Sequence, residues 1–353
     1  MTLFKNNPFI GFLMLLWIFA TGCRTNGSLK TIVDAHGNEI AIPREINAIA
    51  DSWPAHNMIV YMLGKGDKIV ATSISEAMCP WFYKINPSMK KAVTAFARTG
   101  TGNIEEVIKA KPDIIFFTAG SPHATTMRNF GVPVVELSLS DFPSLRECVL
   151  TTGEILGGDA IERAEAYAQY LDEKVSWIAN TLADIPASDR PTVMHISSLE
   201  PLVVNGKNTM MDAWITLSGG INAIQENLQG QSISMESLLG LNPDIIVFSP
   251  TGKNITEDDI LKNPVLKNTK AVKNKRVYLN PKGLFFWDRY SAEEALQIQW
   301  AAQKFYPWKF EELDIVNETV YFFQTFFKYP LTREEAVMII QGIPPRDEIS
   351  NEE

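Results

Sequence analysis

A phrase of fifteen residues occurs twice in this chain, at residues 103–117 and 234–248, and this duplication constrains the fold more than any other feature. Glu105 matches Glu236 and Pro112 matches Pro243, so matching positions are 131 residues apart. That spacing is too long for a solenoid repeat and suits a whole domain. Each copy predicts a short amphipathic helix, a Pro-Asp turn and a buried parallel strand. The sequence therefore predicts two similar α/β lobes, an arrangement that usually binds its ligand between the lobes.

The first 22 residues have the pattern of a signal peptide. Lys5 is their only charged residue, and the apolar stretch at residues 8–20 is too short for a membrane span. The stretch runs into Phe19-Ala-Thr-Gly-Cys23, which resembles a bacterial lipobox. We expect Cys23 to become the lipidated N-terminus, which would tether the protein to a membrane surface without spanning it. Secretion with Cys23 unmodified is the alternative.

The charge and cysteine content exclude several classes of protein. Removal of residues 1–22 takes away one of the 32 basic residues and none of the 41 acidic ones, which leaves a net charge of −10. A nucleic-acid partner would require a basic face, so it is excluded. Only Cys79 and Cys148 would follow Cys23, which rules out a disulfide scaffold and leaves open whether these two pair.

A long helical pattern separates the two halves of the chain. Apolar residues recur at steps of three and four between Ile161 and Leu182, and residues 159–185 contain neither glycine nor proline. Such a helix would be about 35–40 Å long, enough to cross between lobes, and its stiffness predicts small closure motions. We divide the chain into a signal peptide, a first α/β lobe, a connecting helix, a second α/β lobe and a C-terminal helical extension, at residues 1–22, 23–157, 158–186, 187–309 and 310–353.

Alternating strands and helices predict a parallel sheet in each lobe. An N-terminal hairpin around His36-Gly-Asn should precede the first sheet, and Thr332 with Glu335 predicts a capped helix near the end of the chain. The predicted sheet strands are residues 46–50, 68–72, 113–117 and 132–137 in the first lobe and 192–196, 244–248 and 276–279 in the second.

The segments that follow the predicted strands are the candidate ligand-binding loops, because open α/β sheets bind ligands beyond the carboxyl ends of their strands. These loops are rich in large aromatic residues, which predicts exposed contact surfaces. The alternative is that the rings fasten the loops to the lobes. The side chains that we expect to stack on or contact a ligand are Trp53, Trp81, Tyr83, Ser197, Phe286 and Trp287.

The dipeptide Asp288-Arg289 predicts a second kind of contact. An arginine beside the cleft can hold carboxylate or phosphate-like oxygens with two hydrogen bonds. Asp288 could orient that guanidinium group or ligate a metal ion. A local Asp–Arg pair at the start of a helix near Ser291 would explain the same two residues without any ligand.

Three histidines allow a metal site as an alternative. His56, His123 and His195 fall at or near predicted strand ends, and with Asp288 they would suit zinc or manganese. Against this, His195 lies within an apolar strand pattern and His56 at the start of a helix. The chain has no nucleophile elbow, Walker loop or His-Glu-x-x-His helix, so we expect neither an enzyme nor a cofactor.

Several phrases in order along the mature chain resemble the substrate-binding lipoproteins of ABC importers for iron–siderophores, haem, cobalamin and related metal chelates or oxyanions. They are residues 33–37 and 63–70, the duplicated phrase, residues 217–222, Trp287-Asp288 and residues 296–302. The resemblance implies a class III periplasmic binding protein, with two Rossmann-like lobes, one long connecting α-helix and a ligand cleft between the lobes.

The resemblance also implies that one acidic residue on each lobe docks to arginines of the permease. Glu105 and Glu236 match that pattern, and Glu106 competes with Glu105 in the first lobe. A structural alternative is that both carboxylates simply lie in the first turn of a helix, where the helix dipole favours negative charge.

We therefore expect an exported, monomeric receptor that is lipid-anchored at the cell envelope, either in the periplasm or on the outer face of the cytoplasmic membrane. It would capture an iron chelate, siderophore or haem-like, and deliver it to an ABC permease and its ATPase. A receptor for a bare metal ion or for an oxyanion such as molybdate or tungstate is the alternative, and an enzyme acting on a chelate is a remote one.

Overall fold

The computed structural model describes residues 28–96, 103–249 and 257–346. The predicted signal peptide, Cys23 and the acidic end of the chain lie outside these residues. Within the described ranges, no helix combines the length and the apolar content that a membrane crossing requires.

The described strands form one hairpin and two larger sheets. In chain order they are β1 Leu29–Val33, β2 Glu39–Pro43, β3 Ile49–Asp51, β4 Ile69–Thr72, β5 Val93–Thr94, β6 Ile114–Thr118, β7 Val134–Leu137, β8 Thr192–Leu199, β9 Leu202–Val204, β10 Ile221–Asn222, β11 Gln231–Ser232, β12 Ile245–Phe248 and β13 Val277–Leu279. The hairpin β1–β2 lies where the sequence predicts it.

Helices cover both sheets and form the C-terminal extension. In chain order they are α1 His56–Met62, α2 Pro80–Ile85, α3 Ile104–Lys109, α4 Pro122–Arg128, α5 Phe142–Leu156, α6 Asp159–Thr181, α7 Met210–Leu217, α8 Met235–Leu241, α9 Glu257–Leu261, α10 Lys270–Lys273, α11 Glu294–Phe305, α12 Ile315–Phe326 and α13 Arg333–Ile340.

The first lobe contains a parallel sheet with the strand order β5-β4-β3-β6-β7. The chain enters at the central strand β3, adds β4 and β5 on one side, and then returns to add β6 and β7 on the other. The strand order thus reverses between β3 and β6. In open α/β sheets that reversal creates a crevice at the carboxyl ends of the strands.

The second lobe repeats this plan around β8, which pairs in parallel with β12, and β12 pairs in parallel with β13. The other side departs from the predicted all-parallel sheet, because β9 and β11 add antiparallel strands. The reason is the connection: β8 ends at Leu199 and β9 begins at Leu202. A link of two residues can only fold the chain back as an antiparallel hairpin.

The duplicated phrase forms the same structure in both lobes. Asn103 and Ser234 cap α3 and α8 by accepting a hydrogen bond from the backbone N–H three residues later. Each helix is followed by a residue with positive φ, Lys111 at 51° and Asn242 at 42°. Because those two positions are also 131 residues apart, the turn as well as the helix is duplicated.

The aspartate of each Pro-Asp turn fastens the phrase to the central strand of its lobe. Asp113 Oδ2 accepts the backbone N–H groups of Asn47 and Ala48 at 2.8 and 3.0 Å, just before β3. Asp244 Oδ2 accepts the N–H and the hydroxyl of Thr192, the first residue of β8, at 3.0 and 2.8 Å. These contacts fix where each central strand begins.

The connecting helix α6 is 23 residues long, or about 35 Å. It follows α5 of the first lobe and also packs against α7 and α11 of the second lobe. The hydroxyl of Tyr167 on α6 donates to the carbonyl of Ala292 at 2.8 Å. The predicted helical link between two lobes is confirmed, although the helix ends one residue before the apolar pattern does.

The C-terminal helices return to the first lobe and to α6. Phe322 and Phe326 pack edge-on against Tyr167, and Phe322 also packs edge-on against Phe327. Phe327 stacks on Tyr61. Glu335, the third helical residue of α13, completes the predicted capping box with Thr332 and pairs with Lys84 of α2 at 2.8 Å. The extension therefore braces the first lobe.

The strained turn at Lys111 yields a prediction. A side chain with a Cβ in the left-handed region costs about 1–2 kcal/mol, and asparagine tolerates it better, as the twin position Asn242 shows. Lys111→Asn should raise the free energy of unfolding by about 0.5–1 kcal/mol in chemical denaturation. Lys109→Asn, within α3, is the matched control and should give no gain. Equal changes in the two variants would contradict the assignment of strain to Lys111.

Candidate ligand cleft

A cavity of about 350 Å³ lies between the lobes. Its first wall consists of side chains at and after the carboxyl ends of β3, β6 and β7. Its second wall consists of side chains at the start of α7, before β11 and after β13. The lining residues are Trp53, Thr118, Ala119, Leu137, Ser138, Leu139 and Ser140 from the first lobe and Asn208, Thr209, Met210, Gln229 and Tyr290 from the second. All of these described lining residues are neutral, and most of them offer a hydroxyl, an amide or an aromatic ring.

A larger groove of about 770 Å³ runs along the surface between α5 and α6. It is open and is lined from Arg146 to Asn180 by these two helices alone, with an ion pair between Arg146 and Asp172 at 2.9 Å. The interlobe cavity is the better candidate site, because both sheets present their strand ends to it.

Of the predicted aromatic contacts Trp53, Trp81 and Tyr83, only Trp53 lies at the cleft. Trp53 follows β3 and lines the cleft. Trp81 and Tyr83 lie on α2 rather than in a loop, and their side chains are almost fully buried. The indole of Trp81 donates to the carbonyl of Ile343 in the C-terminal extension at 2.9 Å, and the hydroxyl of Tyr83 donates to that of Ile74. The prediction that these two rings are exposed is wrong, because they anchor the extension and a loop.

The loop that contains Phe286 and Trp287 also departs from the predicted exposed surface. Trp287 is fully buried, and its indole donates to Oε1 of Glu293 at 3.1 Å, so it does not form an exposed surface either. The ring of Phe286 lies between two cations, with Lys282 Nζ at 4.5 Å and Arg289 Cζ at 4.6 Å from its centre. Ser197 lies within β8 and accepts a hydrogen bond from Asn205. As ligand contacts, Trp287, Phe286 and Ser197 stay predictions. None of the three is among the residues that line the cavity.

A buried His–Asp pair supports the first wall. His56 Nδ1 lies 2.8 Å from Asp51 Oδ2, and His56 Nε2 lies 2.9 Å from the hydroxyl of Thr152. That hydroxyl has one proton and donates it to the carbonyl of Cys148 at 2.7 Å, so it accepts from His56. The carboxylate also accepts. His56 therefore donates at both ring nitrogens and is an imidazolium paired with Asp51.

The electrostatics of His56 agree with this assignment. Burial alone lowers the pKa of the ring, but the carboxylate of Asp51, together with Cys148, outweighs burial and raises the pKa to about 10. The side chains of His56 and Asp51 are both fully buried. Their charges are tolerated there because each compensates the other.

A second buried His–Asp pair supports the other wall, with a different charge state. His195 Nε2 lies 2.6 Å from Asp288 Oδ2, and His195 Nδ1 accepts from the amide of Asn205 at 3.1 Å. An accepting Nδ1 means that this ring is neutral. Burial lowers its pKa more strongly than Asp288 raises it.

Arg289 supplies the countercharge to Asp288. Its Nε and Nη2 donate to the two carboxylate oxygens, both at 2.9 Å, and Nη2 also donates to the hydroxyl of Ser249 at 2.6 Å. Burial acts to raise the pKa of Asp288, but Arg289 and His195 hold it well below its usual range. Arg289 is 13% exposed, lies next to the lining residue Tyr290, and has no hydrogen bond at Nη1 among the described residues.

The alternative metal site is wrong. His56 and His195 lie in different lobes with both ring nitrogens occupied, and only His195 and Asp288 come together. His123 is half-buried on α4. Within the described residues, no group of three or more His, Cys, Asp or Glu side chains is placed to hold a metal ion. Cys79 and Cys148 are both buried free thiols, so the two do not pair.

The predicted docking carboxylates occupy matching places. Glu105 and Glu236 are both exposed in the first turn of α3 and α8, two residues after the capping side chain. Glu106 instead lies 3.6 Å from Lys109 of its own helix. The geometry thus makes Glu105, rather than Glu106, the twin of Glu236.

Several lining residues escaped the sequence analysis. Ser138, Leu139 and Ser140 directly follow the predicted strand at residues 132–137, so the strand-end rule could have found them. Asn208, Thr209 and Gln229 come from the antiparallel part of the second lobe, which the sequence pattern did not predict.

Comparisons with known proteins give the same architecture. A profile of the family described as periplasmic binding protein matches residues 54–284. The uncharacterized ABC transporter substrate-binding lipoprotein YvrC of Bacillus subtilis is 26% identical over 70% of this chain and 77% of its own. The high-affinity heme uptake system protein IsdE of Staphylococcus aureus is 27% identical over 56% of this chain and 70% of its own.

A solved structure shows the same fold at low identity. The molybdate-bound binding protein MolA of Haemophilus influenzae superposes with a TM-score of 0.76 and 20% identity, covering 86% of this chain and 99% of that one. The predicted fold of two α/β lobes joined by a long helix is confirmed.

The charge state of His56 yields a prediction. Above about pH 6.5 an unfolded histidine is neutral, whereas the folded ring stays protonated to about pH 10. The folded state then binds more protons, so stability should fall as the pH rises through this window, by up to about 1.4 kcal/mol per pH unit. Chemical denaturation at several pH values should show that His56→Gln loses this component of the slope. The exposed His36 is the control, and His36→Gln should keep it. Parallel curves for wild type and His56→Gln would mean that the folded ring is neutral.

Proposed function

The chain belongs to the family of periplasmic binding proteins, and we propose that it is the receptor of an ABC importer that captures an iron chelate of the siderophore or haem type. The neutral lining of the interlobe cavity carries this proposal. A receptor for a bare ion would present imidazole, thiolate or carboxylate ligands in the cavity. In a chelate the metal is already enclosed, so the protein needs hydrogen bonds and aromatic surface instead.

The walls supply both kinds of contact. Trp53 offers an indole on the first wall, and Tyr290 offers a ring and a hydroxyl on the second. Hydroxyl groups of Thr118, Ser138 and Thr209 surround them. A volume of about 350 Å³ is at the small end of the range for organic ligands, so a larger chelate would need the lobes to open or to leave part of it outside.

Arg289 gives the site its preference for negative charge. Two of its nitrogens are fixed on Asp288 and Ser249, and Nη1 is left to donate to an anionic oxygen. Iron chelates often bear carboxylates or catecholates, so this single cation would favour them over neutral molecules. That IsdE is a haem uptake protein agrees with a chelate ligand.

An oxyanion is the second candidate, and two observations favour it. MolA is solved with molybdate bound on the same fold. The hydroxyl and amide donors of the lining could also surround a small anion, with Arg289 as a partial countercharge. This candidate differs from the first in one respect: an oxyanion has no aromatic or apolar surface to contact Trp53.

Delivery of the ligand requires partners outside this chain. We propose that Cys23 is lipidated, as the name of YvrC indicates for that relative, and that a monomer anchored on the outer face of the membrane docks on an ABC permease and its ATPase. Glu105 and Glu236 would provide one carboxylate per lobe. No step of this scheme requires catalysis or a resident cofactor.

Ligand identity can be tested by native mass spectrometry of protein purified from its own host. An iron-containing organic adduct supports the first candidate, and a molybdenum or tungsten oxyanion supports the second. Arg289→Gln should weaken binding of the adduct at least about tenfold, since one charge-assisted hydrogen bond is worth about 1.5–3 kcal/mol. Arg333→Gln, on the exposed side of α13, is the control. A bare zinc or manganese ion as the sole adduct would overturn the chelate and the oxyanion together.

Docking can be separated from binding. Replacement of Glu105 and Glu236 together by glutamine should abolish ligand uptake in cells and leave the affinity of the purified protein unchanged. The pair Glu162→Gln and Glu173→Gln on α6, also exposed, should leave uptake intact. A loss of affinity in the Glu105–Glu236 variant would show that these residues belong to the ligand site instead.

A further inference from the structure

The two buried His–Asp pairs start from matching positions of the duplicated fold. Asp51 lies opposite Phe116 in the register of β3 with β6, and His195 lies opposite Val247 in the register of β8 with β12. Phe116 and Val247 are themselves 131 residues apart. Each lobe therefore carries one half of a His–Asp pair at a matching position of its central strand, with the two halves exchanged between the lobes. Asp51 is the last residue of β3, and His195 is the fourth of the eight residues of β8.

In the first lobe the pair holds Trp53 at its backbone and at its ring. Asp51 Oδ1 accepts the backbone N–H of Trp53 at 3.0 Å. The imidazolium of His56 stacks on the indole, with ring centres 5.7 Å apart and planes inclined by 13°. The amide of Asn57 donates to the carbonyl of Trp53 at 2.8 Å. A charged ring against an indole face adds an electrostatic attraction to the packing.

In the second lobe the pair acts first through Asp288. This carboxylate accepts a hydrogen bond from His195 and another from the guanidinium of Arg289. Arg289 in turn is tied to Ser249 at the end of β12. The next residue, Tyr290, lines the cleft with a φ of 58°, a conformation that the held neighbours must impose.

The second route from His195 runs through Asn205. The amide of Asn205 donates to His195 Nδ1 at 3.1 Å, and its oxygen accepts the N–H of Gly230 at 2.8 Å. Gln229, the neighbour of Gly230, also lines the cleft and donates to the hydroxyl of Tyr290 at 3.1 Å. The contacts that lead from His195 through Asp288 and those that lead through Asn205 thus meet at the hydrogen bond between Gln229 and Tyr290.

We propose that the two pairs are positioning devices for the ligand cleft: His56 fixes Trp53 in the first wall, and His195 fixes Tyr290 and Gln229 in the second. This inference rests on the proposed role of the cavity as the ligand site. Both histidines are fully buried and are absent from the lining, so they act on a ligand only through the wall residues. Walls that are held before the ligand arrives lose less conformational entropy on binding.

Heteronuclear NMR of the ligand-free protein tests the positioning directly. The indole N–H signal of Trp53 is assigned by its loss in Trp53→Phe, and the side-chain amide signal of Gln229 by its loss in Gln229→Leu. His56→Gln should move the Trp53 signal and leave Gln229 in place, whereas His195→Gln should do the reverse. Tyr306→Phe is the matched control: it removes one buried hydrogen bond, to the carbonyl of Gly219, and should move neither signal.

Binding is measured in parallel with haemin and with molybdate as separate probes. For whichever probe binds the wild type, each histidine variant should raise the dissociation constant at least about tenfold, and Tyr306→Phe should leave it unchanged despite its lower thermal midpoint. If a histidine variant fails to fold, Thr152→Val and Asn205→Ser take its place. These remove one partner of His56 and of His195 and should move the same signals by less.

The outcomes separate this inference from the proposed function. Unmoved Trp53 and Gln229 signals in the histidine variants, or unchanged affinities, overturn the positioning role and leave the pairs as stabilising contacts only. If neither probe binds the wild type, haem and molybdate fail as ligands, yet the NMR signals still decide whether the histidines hold the walls.

Discussion

The carboxylates of Asp113 and Asp244 hold the beginning of the central strand in each lobe, and the rest of the site depends on that contact. Side chains alternate along a strand, so a shift of one residue in β3 or β8 would turn every one of them to the opposite face. With the register fixed, Asp51 and His195 occupy matching positions beside β6 and β12. Both walls of the cleft are then built outward from these two residues.

Charge in this protein is compensated inside the lobes and kept out of the cavity. Burial of a single charge would be costly, so His56 is matched by Asp51, and Asp288 by Arg289 with help from the neutral His195. The lining is left with neutral polar and apolar groups and two aromatic side chains, and Arg289 is the neighbour in sequence of the lining residue Tyr290. This division explains why the histidines, which suggested a metal site in the sequence, do not form one.

The sequence predicted the fold well where the signal was local and repeated. The duplicated phrase, the hairpin, the connecting helix and the cap at Thr332 all depend on spacing along the chain, which survives folding. The strand-end rule located Trp53 and the turn that carries Tyr290. It failed for Trp81 and Trp287, because an aromatic residue near a strand end carries no mark of which way it points. Their indole N–H groups are satisfied by Ile343 and Glu293, partners that no pattern identifies.

The sequence by itself determined that there are two related α/β lobes and that a long helix joins them, and it predicted a ligand site at their strand ends. Only the tertiary structure decided which side chains line the cleft and which charge state each buried histidine has. The physical reason is that periodicity and turn chemistry act between neighbours in the chain. The neutral state of His195, in contrast, is set by burial. Its proton is held on Nε2 by Asp288, which is 93 residues away in sequence and 2.6 Å away in space.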